Sequence, residues 1–173
     1  MRFAFALSVL VGGAGAAQAA CLTTEHTFMS CRIADSEDVL RVCFDGTNIF
    51  YRYGPADQPP ALALSESVAS VAYTPWPGIG RAIWESVSFT NAGYVYEAFA
   101  GFDRMLAKDA DDGMEVQPFG GVHVIRDGDI TATRTCAADA VRFGWDSALF
   151  DAKTALGLIW DVSNHTWLAT AQQ

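Results

Sequence analysis

The sequence predicts a mainly β protein, a small antiparallel β-barrel or a sandwich, with one short helix near the C-terminus. Apolar residues alternate at period two through most of the chain after the first twenty residues, and each alternating run stops at a turn signal. The pattern becomes helical only once, close to the C-terminus. Closing the sheet would hide strand edges that otherwise invite aggregation, which favours the barrel over the sandwich.

An export signal precedes this domain. Arg2 is followed by a short apolar run, Phe3 to Val11, and then by small residues ending in Ala17-Gln18-Ala19, the pattern that signal peptidase cuts. An apolar run of this length cannot span the ~30 Å core of a bilayer, so we expect a cleaved signal and no transmembrane segment. We therefore predict a signal peptide at residues 1–20 and a single β-rich domain at residues 21–173, which is periplasmic or secreted.

Cys21 follows the predicted cut, as the acylated cysteine of a lipoprotein would. A lipoprotein signal has Leu three residues before that cysteine, whereas this chain has Gln18. The four cysteines can pair completely in an oxidising compartment, and acylation of Cys21 would leave one thiol without a partner. Two disulfides in a domain without lipid are the better expectation.

The charge balance points to cationic partners. The chain has 20 acidic and 11 basic residues, and loss of Arg2 with the signal peptide changes the net charge from −9 to −10. Such a surface repels phosphate backbones, so we expect no nucleic-acid partner. A cationic protein would be attracted to it.

In the N-terminal half of the domain, the sequence predicts four strands and two connections. The strands are expected at about residues 27–33, 39–44, 49–53 and 61–65, the last one at a sheet edge. Asp45-Gly46-Thr47-Asn48 is a strong turn, because Gly and Asn accept the positive φ of tight hairpins. Residues 73–80 contain two prolines and two glycines, which indicate a loop around Trp76.

In the C-terminal half, the sequence predicts three hairpins and the helix. The hairpins are expected to join residues 82–90 to 94–102, 121–126 to 129–136, and 158–160 to 166–168. Asp127-Gly128 is the preferred dipeptide for the second turn. Residues 103–117 are predicted to be an acidic connector. The helix covers residues 147–156, where Asp146 can cap it and Gly157 can end it.

Register suggests which cysteines pair. A first hairpin that turns around Glu37 places Cys31 opposite Cys43, at a Cα separation within the ~4.4 to 6.8 Å that a disulfide allows. Cys21 would then pair with Cys136 and close a loop of more than about a hundred residues. Because four cysteines allow three connectivities, the other pairings stay open.

The chain carries no familiar catalytic or metal-binding motif. It lacks a Gly-x-Ser-x-Gly elbow, a His-Glu-x-x-His pair and a phosphate loop. The acidic segment at residues 109–115 lacks the glycine and glutamate positions of an EF-hand. Three histidines occur without metal-ligand spacing: His26, His123 and His165. We expect no metal, cofactor or catalytic residue, although an enzyme could be built if a pocket joined His123 to Glu97 or Asp129.

Aromatic and arginine residues around the Trp76 loop are the first candidates for binding. Trp76 lies between two prolines, Ile79 and Arg81 follow it, and Tyr94 and Tyr96 lie on the next hairpin strand. Trp, Tyr and Arg dominate binding hot spots. Trp76 is expected either to cover the core as a lid or to be exposed as an anchor for a partner, and small cores favour the lid.

Arg41 and Arg52 form a second candidate site. A four-residue turn between their strands places them opposite each other. Neighbouring arginines repel unless carboxylates or an anionic ligand lie between them. Since this chain is rich in carboxylates, a salt-bridge cluster is favoured over an anion site.

Three stretches resemble a known family. They are Phe28-x-x-Cys31 to Cys43 with Tyr51-Arg52-Tyr53-Gly54, Trp76-Pro77-Gly78-Ile79-Gly80-Arg81, and Gly120-Gly121-Val122-His123-Val124 leading to Cys136. Together they resemble uncharacterised exported β-rich proteins of proteobacteria with no assigned activity, which implies export and a β-rich fold. In size and architecture the chain is also similar to periplasmic lysozyme inhibitors, but it lacks the Ser-Gly-x-x-Tyr loop that those proteins insert into the enzyme.

The sequence therefore predicts a disulfide-bonded binding module that binds or inhibits a cationic protein, such as a cell-wall hydrolase. The alternatives are a small periplasmic enzyme that uses His123 and an envelope protein with a structural or stabilising role.

Overall fold

A computed structural model describes residues 21–110 and 113–170, so the predicted signal peptide lies outside the described residues. The prediction of a mainly β, antiparallel fold with a helix near the C-terminus is confirmed. The strands are β1 (His26–Arg32), β2 (Asp38–Phe44), β3 (Asn48–Pro55), β4 (Leu62–Ser67), β5 (Ala72–Thr74), β6 (Ala82–Asn91), β7 (Tyr94–Ala110), β8 (Gly113–Arg126), β9 (Asp129–Thr135), β10 (Arg142–Phe143), β11 (Leu158–Asp161) and β12 (Thr166–Ala169), and the helix is α1 (Ala148–Ala155).

The strands form two five-stranded antiparallel sheets. The order is β10-β1-β2-β3-β4 in the first sheet and β5-β6-β7-β8-β9 in the second, and β11 and β12 pair separately. Neither sheet closes on itself among the described residues, so the sandwich is the alternative that fits. Two of the four sheet edges are strands of only two and three residues, which limits edge-to-edge pairing without closure.

Both sheets contribute to one apolar core. Leu40 and Tyr51 of the first sheet and Val87 and Phe89 of the second are all at most 2 % exposed. The Tyr51 and Phe89 rings are 5.6 Å apart and connect the two layers. Burial of these apolar side chains is the main favourable term for the fold.

The longest hairpin, formed by β7 and β8, was not predicted from the sequence. Residues 103–117 are not a connector, because β7 continues to Ala110 and β8 starts at Gly113. The antiparallel ladder shifts register between Asp103 and Lys108 and then resumes. Backbone hydrogen bonds maintain such a ladder without alternating apolar residues, which is why periodicity failed to reveal it.

The predicted disulfide pairing is wrong. The bonds are Cys21–Cys43 and Cys31–Cys136, with Cα separations of 5.8 Å and 5.7 Å. The first hairpin turn is centred on Asp35 and Ser36 and not on Glu37, so Cys31 is opposite Leu40 in the ladder. That position is three residues from Cys43, or about 10 Å along the strand, which is too far for a disulfide.

The two disulfides have different structural roles. Cys31 and Cys136 are both buried, and their bond links the first sheet to the end of β9 in the second. Cys21 pairs with Cys43 and holds the N-terminal segment against β2. One bond therefore connects the sheets, and the other fixes the segment that precedes β1.

Helix α1 begins and ends close to the predicted positions. The side chain of Asp146 accepts a hydrogen bond from the Ala148 backbone N–H at 3.1 Å, and Gly157 follows the helix with a φ of +78°. The ammonium group of Lys153 is buried and donates to the backbone oxygens of Val68, Ala69 and Val71, at 2.8, 3.2 and 2.9 Å. These bonds attach α1 to the segment between β4 and β5.

No described helix has the length and apolar character needed to span a bilayer.

Candidate functional site

A cleft of about 400 Å³ opens where the loop after β5 meets the start of α1. Its aromatic walls are Trp76, Trp145 and Phe150, and its acidic side chains are Glu85 and Asp146. The cleft combines apolar walls with a small number of polar groups, as ligand sites commonly do. It is the strongest candidate for a functional site in the described part of the chain.

Trp76 forms one wall of this cleft. Its side chain is half-buried, and its indole N–H is buried without a hydrogen-bond partner. The ring lies edge-on to Trp145, with centroids 6.0 Å apart, and Trp145 is 45 % exposed. Trp76 is therefore neither a fully buried lid nor a fully exposed anchor.

Glu85 is the buried acid of the cleft. It projects from β6 on the same face as Val87 and Phe89, yet it is only 9 % exposed. Burial raises the pKa of its carboxyl to about 7, and the nearby charge of Asp146 adds to this rise. The Tyr73 hydroxyl opposes the rise, although its contact with the carboxyl falls outside strict hydrogen-bond geometry.

Tyr73 supports the cleft from behind. It is 2 % exposed, its ring stacks on Trp167 at 5.8 Å, and the Trp167 indole donates to its backbone oxygen at 2.7 Å. Burial and the neighbouring Glu85 carboxyl raise the pKa of the Tyr73 hydroxyl far above its ordinary value. The hydroxyl stays protonated and neutral beside Glu85 at physiological pH.

The predicted binding residues that follow Trp76 lie outside this cleft. Ile79 is 77 % exposed, and the Arg81 side chain, 68 % exposed, forms an ion pair with Asp103 at 2.8 Å. The Arg104 guanidinium donates to the Gly80 and Arg81 backbone oxygens and lies 5.5 Å from the Trp76 ring. The loop is thus fixed to β7 and presents Ile79 to solvent.

The structure separates Tyr94 and Tyr96 from the Trp76 loop. Both lie at the opposite end of the β6–β7 hairpin, and the ten residues of β6 span about 30 Å. The Tyr96 ring packs on Tyr51, and the Tyr94 hydroxyl accepts a hydrogen bond from Arg126 at 3.0 Å. These tyrosines do not contribute to the cleft.

Arg41 and Arg52 are opposite each other on β2 and β3, as predicted. Arg52 donates two hydrogen bonds to the Glu25 carboxylate, at 2.7 and 2.8 Å, which lowers the pKa of Glu25. Two nitrogens of Arg41 are buried without a hydrogen-bond partner, and burial, together with Arg52, lowers the pKa of Arg41. Arg52 therefore forms a structural salt bridge with Glu25, which holds the N-terminal segment.

His123 lies beside a hydroxyl and opposite a carboxylate-bearing residue on the second sheet. Its Nδ1 lies 2.9 Å from the Thr133 hydroxyl, and Glu97 is opposite it on β7. The ring stacks on Phe99 with centroids 4.5 Å apart. Asp129 lies at the β8–β9 turn, opposite Arg126, and does not join this group.

One group of metal-ligand type occurs among the described residues, formed by Cys21, Glu25 and Cys43. Its two sulfurs are bonded to each other, and its carboxylate is paired with Arg52. The group therefore has no free ligand set for a metal.

Two parts of the cleft, the buried acid Glu85 and the second aromatic wall, Trp145, were not predicted from the sequence. Glu85 had a recognisable signal, because it interrupts the inward-facing series Ile83, Val87 and Phe89 of β6. Trp145 had no such signal, since nothing in its local sequence indicates a contact with Trp76. Only the packing of the α1 region against the loop brings them together.

The fold and the cleft together define a two-sheet, disulfide-bonded β protein with an acidic, aromatic-lined cleft. No family model, curated protein or solved structure matches the chain.

Proposed function

We propose that this protein is an exported binding module that binds a cationic protein, such as a cell-wall hydrolase, and inhibits it where the contact covers the active site. The observation that carries this proposal is the acidic, aromatic-lined cleft next to exposed Ile79. Aromatic side chains supply much of the energy of protein interfaces. The net charge of −9 for the full chain would accelerate association with a basic partner.

Two further observations support action outside the cytoplasm. The sequence begins with the features of a signal peptide, and all four cysteines are in disulfides. The proposed location is the periplasm or the extracellular space.

The proposal can be tested with lysozyme, which is a cationic cell-wall hydrolase. Purified residues 21–173, with both disulfides formed, should bind lysozyme in calorimetry and reduce its lysis of cell walls. Binding should weaken as ionic strength rises, because salt screens the attraction between opposite charges. Equal lysis with and without the protein, together with no heat of binding, would contradict the choice of partner.

Two loop variants and a matched control locate the interface. Trp76→Ala and Ile79→Ser should each weaken binding, with a loss of roughly tenfold or more for an aromatic anchor. Ile159→Ser is the control, because Ile159 is also exposed, at 50 %, but lies on β11. An equal loss in all three variants would show that the loop is not the interface.

The alternative enzymatic function relies on one observation, the contact between His123 and Thr133 opposite Glu97. A hydroxyl, an imidazole and a carboxylate can together activate a nucleophile. Hydrolysis of an activated ester by the wild-type domain, and its loss in His123→Ala, would favour this function over binding.

A further inference from the structure

The Glu85 carboxyl lies in the cleft without a cationic partner. It is 9 % exposed, and no Lys or Arg among the residues with described side chains forms an ion pair with it. A buried carboxyl is normally paired with a cation or kept neutral by protonation. The cleft leaves room next to it for a charged group from another molecule.

The aromatic walls of the cleft suit the apolar part of a cationic side chain from another molecule. Trp76 and Trp145 meet edge to face at 6.0 Å, and Phe150 lines the same cleft. Aromatic faces attract ammonium groups and also pack against aliphatic chains. Arg104 already lies 5.5 Å from the Trp76 ring, so this indole has one cation contact within the protein itself.

The charged and titratable groups that face Glu85 are mostly acidic. Asp146 lies before α1, and its charge contributes to the raised pKa of Glu85. Tyr73 faces Glu85 from β5 as a neutral hydroxyl, and Asp151, in the first turn of α1, adds to the negative charge around Tyr73. Arg104 is the cation near the outer wall. A second cation bound at the floor of the cleft would therefore meet mainly negative charge.

We propose that the cleft binds one alkylammonium group, the lysine side chain of a cationic partner, alongside Trp76 and Trp145 and against the Glu85 carboxylate. The four-carbon stem packs on the indole rings while the ammonium donates hydrogen bonds to the carboxylate. Asp146 at the cleft edge adds a second negative charge. This inference depends on the proposed function for the identity of the partner, but not for the chemistry of the site.

The test uses n-butylammonium chloride as the probe and n-butanol as its neutral counterpart. The ligand is titrated into the disulfide-bonded domain at constant ionic strength, and the indole N–H resonances of Trp76 and Trp145 are followed by NMR. Butylammonium should shift both resonances with saturation, and butanol should bind more weakly. Because the carboxylate must be ionised, affinity should rise about tenfold between about pH 6 and pH 8, as the competent fraction increases. Equal effects of the two probes on the wild-type protein would overturn the proposal without any variant.

Variants test the role of Glu85 directly. Glu85→Gln should weaken butylammonium binding roughly tenfold and abolish its pH dependence, because a charge-assisted hydrogen bond is lost. Glu37→Gln removes the same charge at an exposed position in the first hairpin turn and should change neither. Equal affinity in the two variants would overturn the site.

The outcome for lysozyme separates the two proposals. If lysozyme binding persists in Glu85→Gln while butylammonium has no effect on the indole resonances, the binding function stands and the ammonium site is wrong. If butylammonium binds as expected and lysozyme does not, the site stands and the choice of partner is wrong.

Discussion

Replacing Glu85 with glutamine should make the protein more stable at high pH relative to wild type. The pKa of this carboxyl is about 7 in the folded protein, against 4.5 for an ordinary glutamate. Between these values the folded protein keeps a proton that the unfolded chain has released, so the stability of the wild-type protein falls as pH rises. The full cost is about 3.4 kcal/mol, and about 2.5 kcal/mol of it develops between about pH 5 and pH 8.

Urea unfolding of three proteins isolates this effect. The wild-type domain, Glu85→Gln and Glu37→Gln are compared at about pH 5 and pH 8, and the free energies of unfolding are extrapolated to water. The difference between Glu85→Gln and wild type should change by about 2.5 kcal/mol in favour of glutamine between the two pH values. Glu37 is exposed in a turn, so its variant should follow the wild-type curve.

The quantity to compare is the change of this difference with pH. Any effect of the substitution on packing is the same at both pH values and therefore cancels. A difference that is the same at about pH 5 and pH 8 would contradict a raised pKa for Glu85. Glu85 would then be ionised in the folded protein over the whole range, and burial could not be the dominant influence on its pKa.

Three further substitutions test the fold. Replacing Cys31 and Cys136 together by serine should lower the free energy of unfolding by about 4 to 5 kcal/mol, since their bond spans 105 residues; urea unfolding measures the loss, and no change would contradict the inter-sheet role. Lys153→Met should cost about 2 to 4 kcal/mol, because three backbone oxygens lose their buried donor, and a neutral result in thermal unfolding would show that water replaces the ammonium. Gly101→Ala should lower the free energy of unfolding by about 2 kcal/mol or more, because the added Cβ would collide with the Ile83 backbone oxygen. An unchanged melting temperature would contradict this packing.

Local chemistry determined the turns and the helix boundaries. Asp127-Gly128 has positive φ at both residues, 54° and 90°, and closes the hairpin that its sequence predicted. Asp146 and Gly157 mark the two ends of α1. Each of these features depends on residues within one or two positions of each other, so the sequence contains the necessary information.

The strand register of the first hairpin could not be determined from the sequence. A turn displaced by only a residue or two moved Cys31 away from Cys43 and changed both disulfides. Side chains alternate between the two faces of a strand, so a small register error changes both the partner and the face.

Composition and period-two alternation are local properties, so they were enough to predict a cysteine-paired, antiparallel β protein with acidic character. Two features became known only from the folded chain: both sheets have open edges among the described residues, and Trp76, Glu85 and Trp145 line one cleft. These residues come from a loop, a strand and the segment that precedes α1, and their proximity follows from how the layers pack. Packing of this kind depends on the shapes of distant surfaces, which no local pattern in the chain records.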